Sequence, residues 1–117
     1  RYEKKIMSLC ERYNLPYKYV GDGRLLIGSK NPDFVNTNGK KILIEAYYSR
    51  LHIPDYEQER GDFFMKHGYK TIFVNENDLD GKGWQQTCLK KIIKEEHAEL
   101  KEMIGKWMII QNIILKG

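Results

Sequence analysis

The chain has 117 residues and a mass of 13.9 kDa, enough for one domain and too little for two independent cores. Twenty Lys/Arg against sixteen Asp/Glu give a net charge of +4, compatible with a polyanionic partner without demanding one, and a 41% hydrophobic fraction argues against wholesale disorder. There is no run of eighteen apolar residues and no secretory signal, and two cysteines 78 positions apart form neither a CxxC pair nor a disulfide framework, so an intracellular, reduced protein is expected.

Residues 2–13 place Ile6, Leu9, Cys10 and Tyr13 on one helical face, and Asn14 and Pro16 end that helix. Tyr17–Val20 reads as extended, Gly21-Asp22-Gly23 as a turn, and Arg24–Gly28 as a short strand. Residues 32–36 form another strand opened by Pro32, and Asn38-Gly39 carries a hairpin signal. Lys41–Ala46 is an apolar run with a carboxylate near its end, the pattern of a buried central strand. Residues 47–54 are irregular, 55–67 helical with Gly68 as C-cap, 69–75 a strand and 77–83 a loop. From 85 to 115 the pattern is helical through Leu89, Ile92, Ile93, Leu100, Ile104, Trp107 and Met108, with a break expected at Gly105. The order α-β-β-β-α-β-α predicts an α/β fold, a small mixed sheet flanked by helices.

Several motifs fail. Glu76, Asp78, Asp80 and Gly81 mimic a calcium loop, but the twelfth position is Thr87. Gly81 and Gly83 lack phosphate-loop spacing, the serines sit in no nucleophile elbow, and two Cys with three His assemble no zinc set.

Asp33 and Glu45 survive. A two-residue loop at Asn38-Gly39 sets Asp33 opposite Ile44; a loop one residue longer brings Asp33 and Glu45 face to face, with Cβ atoms roughly 5 Å apart. Carboxylates that close repel unless a cation separates them, and all-oxygen ligation suits Mg²⁺, which could activate water at a phosphoryl group. Solvated residues near turns are the plainer reading of both, although an ionised Glu on the most apolar strand needs a partner. His52 is a surface histidine or, beside a metal, a general base. Glu57 and Arg60 share a helical face, either as an exposed ion pair or with Arg60 turned toward a site. Glu3 is a first-turn acid.

Glu3-Lys4-Lys5-Ile6, Asn14-Leu15-Pro16-Tyr17, Pro32-Asp33-Phe34, Ile44-Glu45, His52, and Glu57-x-x-Arg60-x-x-x-Phe64-x-x-x-Gly68-Tyr69 leading into KTIFV occur in an order that resembles the very-short-patch-repair (Vsr) mismatch endonucleases over residues 2–80. These lie within the PD-(D/E)xK nuclease superfamily, and the nearer likeness is to the EDxHD group of phage-associated homing endonucleases. The resemblance implies hydrolysis of double-stranded DNA with Mg²⁺ or Mn²⁺, in a bacterial cytoplasm and possibly from a phage gene. It implies metal ligation by Asp33 and Glu45, water or phosphate handling by His52, and supporting roles for Glu3 and Arg60. Tyr47 stands where the superfamily has Lys, and Tyr47 or Tyr48 could donate to phosphate instead. Glu57 stands where relatives often have Asp, Leu51 replaces a common Trp, and the zinc-binding His/Cys set is missing, which favours the homing branch. A repair or recombination nuclease, or a non-catalytic DNA-binding or dimerisation module, remains an alternative on the same scaffold.

Residues 85–115 extend beyond the likeness. Their apolar end is expected either to pack against the sheet or to form a homodimer seam or docking face. Arg1 at the start, and the roughly 1,000–2,500 Å² that specific DNA interfaces bury, suggest a single catalytic domain over 1–117 whose upstream recognition region is absent.

Overall fold

A computed structural model describes residues 1–116; the side chains of 99–103, 115 and 116 lie outside the described residues, and with them the expected apolar roles of Leu100 and Leu115. Helix α1 (Tyr2–Tyr13) is followed by strands β1 (Tyr17–Tyr19), β2 (Phe34–Asn36) and β3 (Ile42–Ala46). A single 3₁₀ turn (Ser49–Leu51) leads to α2 (Tyr56–Lys66), β4 (Lys70–Val74), the one-turn α3 (Glu76–Leu79) and the long α4 (Trp84–Lys116). The four strands lie in chain order; β1/β2 and β2/β3 are antiparallel, and β3/β4 are parallel across the α2 crossover.

Helix α1 buries Tyr2, Ile6, Leu9 and Cys10 and ends where Asn14 adopts the left-handed conformation at φ 52°. On β3 every residue from Ile42 to Glu45 is buried, so both faces of the sheet are covered. Period-two alternation then divides the strand. Ile42 and Ile44 join the core formed with α1 and α4, whereas Leu43 packs with Phe64 of α2 and Ile27. Glu45 falls on the Leu43 side, which aims its carboxyl at α2.

Three expectations need correction. Arg24–Gly28 is not a strand but part of an irregular excursion with one isolated bridge, Ile27 to Lys30. Asn31 takes over the work of a ladder there, its side-chain amide donating to the Val20 and Leu25 carbonyls at 2.7 and 2.6 Å. The first half of the expected 77–83 loop is taken up by α3, which starts at Glu76 and is capped by Asn75 and Asp78 in a reciprocal box. Gly105 does not break α4, which is continuous because one glycine costs a long helix only about 1 kcal/mol.

The end of α4 is not packed against the sheet. Cys88 and Ile92 are fully buried, but Trp107, Met108, Ile109, Ile113 and Ile114 are each about three-fifths exposed. At 1.5 Å per residue the helix is about 50 Å long, and it runs past a domain whose longest dimension, helix included, is 54 Å.

Candidate active site

The β2–β3 register pairs Phe34 with Ile44 and Val35 with Leu43; continued by one residue it sets Asp33 opposite Glu45. The longer of the two hairpin loops is therefore used. Asn36 enforces it, its Oδ1 accepting from the backbone N–H of Asn38 (2.8 Å) and of Lys40 (3.2 Å).

Apart from their contact with each other, each carboxylate has one oxygen engaged. Asp33 Oδ2 accepts from the Ala46 N–H at 2.8 Å, and Glu45 Oε1 accepts from Arg60 Nε at 2.5 Å. Arg60 Nη2 donates to the Asn31 carbonyl at 3.1 Å, and the guanidinium lies over the Phe64 ring, so the side chain is fixed on three sides. The Glu45 side chain is 3% exposed. Burial, and then the neighbouring charge of Asp33, push its carboxyl up to about 8, with Arg60 pulling the other way. Burial also raises Asp33, against hydrogen bonds from Glu45 and Ala46.

The residues fit a divalent cation on chemical grounds. They offer two adjacent, buried, hard-oxygen donors whose mutual repulsion and raised proton affinity a cation would relieve. Among the described residues no group of three or more His, Cys, Asp or Glu is arranged around a metal position, so a bound ion would complete its shell with water.

His52 stands beyond this pair, exposed, its ring 3.9 Å from that of Tyr56 and edge-on to Tyr47 at 5.7 Å. Tyr47 donates its hydroxyl to Glu57 Oε2, and burial followed by that bond pushes the phenol up to about 12. Glu57 and Arg60 thus do not pair; they hold different partners on the same helix face. Glu3 is half-buried on the first turn of α1. It acts on Asp33 only through its charge, helping to raise the Asp33 carboxyl. The structure therefore brings together Asp33, Glu45 and Arg60, with Tyr47, His52 and Glu57 as a neighbouring group and Glu3 at the edge.

Three contributors escape sequence reading. Tyr56 links the two groups: it stacks on His52 and feels the charges of Arg60, Glu45 and Asp33. Glu76 accepts from the backbone N–H (3.0 Å) and hydroxyl of Ser49 and so anchors the connector that carries His52. Asn31 receives Arg60.

No family model matches the chain, and no curated protein matches it. Among solved structures it is similar to the catalytic domain of the homing endonuclease I-Bth0305I, with a TM-score of 0.52 and 18% identity over 79% of this chain and 93% of that one. The two share a fold.

Proposed function

We propose that the chain is a metal-dependent DNA endonuclease domain of the Vsr-like type, of the homing branch. The observation that carries this reading is the buried Asp33–Glu45 pair, set opposite each other by the hairpin and steadied by Arg60. The shared fold with a homing endonuclease catalytic domain supports it. Asp33 and Glu45 would hold Mg²⁺ or Mn²⁺. Such an ion supplies Lewis acidity toward a phosphoryl oxygen and lowers the pKa of a bound water.

The chain's own residues then divide the work. Hydrolysis joins a water oxygen to phosphorus and breaks one P–O ester bond; the water loses a proton, and the leaving oxygen takes one up from solvent to become a hydroxyl. His52 is exposed and braced by Tyr56, and serves as the group that orients the water or takes its proton. Arg60 spends Nε and Nη2 on Glu45 and Asn31, which leaves Nη1 for a phosphate oxygen. Tyr47, steered by Glu57, contributes a second phosphate contact, and the charge of Glu3 sharpens the cation preference of the pair. Residues 1–117 act as one catalytic unit that cuts DNA and reads little of its sequence.

A specific observation favours a second reading, a DNA-binding module without catalysis: the residue two after Glu45 is Tyr47, so no ammonium stands there. Plasmid cleavage separates them. The domain is incubated with Mg²⁺ or EDTA beside an Asp33→Asn/Glu45→Gln variant. Metal-dependent nicking that the variant loses supports the nuclease; silence, even after fusion to a DNA-binding domain, supports the module.

A further inference from the structure

A groove of about 250 Å³ lies between α2 and the 21–31 excursion, lined by Lys30, Tyr56, Glu59, Arg60 and Phe63. The four α2 residues share one helical face by their spacing. The excursion is pressed against that face at Gly28, where a Cβ would stand 2.8 Å from Phe63 Cζ. Two residues further, Lys30 is pinned at its backbone: its N–H donates to the Ile27 carbonyl at 3.2 Å, and its carbonyl accepts from the Ile27 N–H at 2.8 Å. Its ammonium sits 5.1 Å from the centre of the Phe63 ring, a position that steadies a cation. Lys30 is half-buried and forms no ion pair among the described residues. Arg60 lines the same groove and also grips Glu45, so the groove and the carboxylate pair share a wall. Glu59 is exposed and pairs with neither cation.

We infer that Lys30 holds a backbone phosphate of the bound DNA strand, a neighbour of the phosphate presented to Asp33 and Glu45. The identity of the polyanion rests on the nuclease reading. Charges along one strand follow at roughly 3.4 Å of rise, so a strand laid across the carboxylate pair sets further phosphates on either side of it. On the Arg60 side the groove meets them with an ammonium that no acid of the described chain neutralises. Its volume falls below the roughly 300–1,000 Å³ of pockets that enclose a whole small molecule, which suits a single group carried on a strand. Glu59 works against an anion at this place, so its charge limits the affinity that Lys30 supplies. A contact of this kind positions the strand over the pair and reads no sequence.

The test is fluorescence anisotropy of a labelled DNA duplex with the full chain, in EDTA so that nothing is cut, over about 50–200 mM salt. Lys30→Gln should weaken binding about five- to tenfold at the low-salt end and lower the slope of log affinity against log salt by about 0.9, the share of one phosphate. Lys30→Arg should restore most of the affinity, and Glu59→Gln should tighten binding about two- to threefold. Lys94→Gln, an exposed position on α4 across the sheet, should do none of this. No binding by the unaltered chain, an unchanged salt slope in Lys30→Gln, or equal losses from Lys30→Gln and Lys94→Gln would each overturn the inference. Cleavage keeps the two readings apart. Asp33→Asn that still cuts removes the metal site and leaves the groove standing, whereas metal-dependent cutting with KM unaltered in Lys30→Gln removes the groove and leaves the site.

Discussion

Arg60 Nε lies 2.5 Å from Glu45 Oε1, and it is the one cation that touches the most buried carboxylate among the described residues. Breaking a buried pair from one side leaves the other charge stranded. Arg60→Met should therefore destabilise the domain by about 3 kcal/mol at pH 8, as read by urea unfolding. Between pH 8 and pH 5 the loss should differ by less than about 1 kcal/mol, because a Glu45 carboxyl raised to about 8 already holds its proton at pH 5.

The same pair sets a pH dependence. Glu45 is raised from the ordinary glutamate range to about 8, and Asp33 is raised as well. The native state then binds more protons than the unfolded chain between those limits, so stability falls as pH rises. As far as this pair is concerned, thermal midpoints should be level below about pH 4 and decline from there toward pH 8. Glu45→Gln should flatten that decline. Mg²⁺ should raise the midpoint more at pH 8 than at pH 5, since it favours the ionised pair; equal shifts at both would count against metal ligation here.

Asp33→Asn removes a donor oxygen's charge and keeps the shape, including an acceptor for the Ala46 N–H. Cleavage should drop by at least about 10³-fold while DNA affinity holds or rises, because one negative charge near phosphate is gone. Equal cleavage by the variant would remove Asp33 from the site.

Tyr56 separates two roles by its two obvious variants. Tyr56→Phe keeps the ring under His52 and should change cleavage by less than about threefold, whereas Tyr56→Leu releases His52 and should cost about tenfold or more in kcat. A hydroxyl that touched phosphate would reverse that ranking.

Gly28 has φ 61°, and a Cβ there would come within 2.8 Å of His67 Nε2 and Phe63 Cζ. Gly28→Ala should cost about 1–3 kcal/mol and loosen the 21–31 excursion from α2. Because Asn31 ends that excursion and receives Arg60, Glu45 should also titrate differently in the variant, measurable by carbonyl NMR.

The hydrophobic run of β3 and the Asn-Gly turn were enough to bring Asp33 and Glu45 close in the sequence, since periodicity and turn chemistry are local. The choice between the two registers was not local: it depended on the Asn36 side chain folding over the loop. Arg24-Leu25-Leu26-Ile27 has strand composition, yet its Leu25 carbonyl is satisfied by the Asn31 amide and its Ile27 carbonyl by the Lys30 N–H, bonds no periodicity reveals. Tyr56 looked like any aromatic on a helix; its meaning comes from the ring of His52 across a chain reversal. Glu76 and Asp80 resembled ion ligands, but Ser49 and Tyr2 occupy them. The apolar end of α4 was evident as composition, while its lack of cover is a property of where the sheet stops.

Nearly everything at the candidate site comes from one continuous stretch, Asn31 to Arg60, a hairpin, a connector and the first turns of a helix. The ends of the chain, α1 and α4, close over the opposite side of the sheet. Low contact order within that stretch means its loops close cheaply and early, whereas the parallel β3–β4 seam and the α1–α4 contacts must wait for distant segments to meet. The same thirty residues carry Phe34, Ile42, Leu43 and Ile44 of the core, so only exchanges at the connector and the outward positions of α2 could alter the chemistry without reopening the packing beneath.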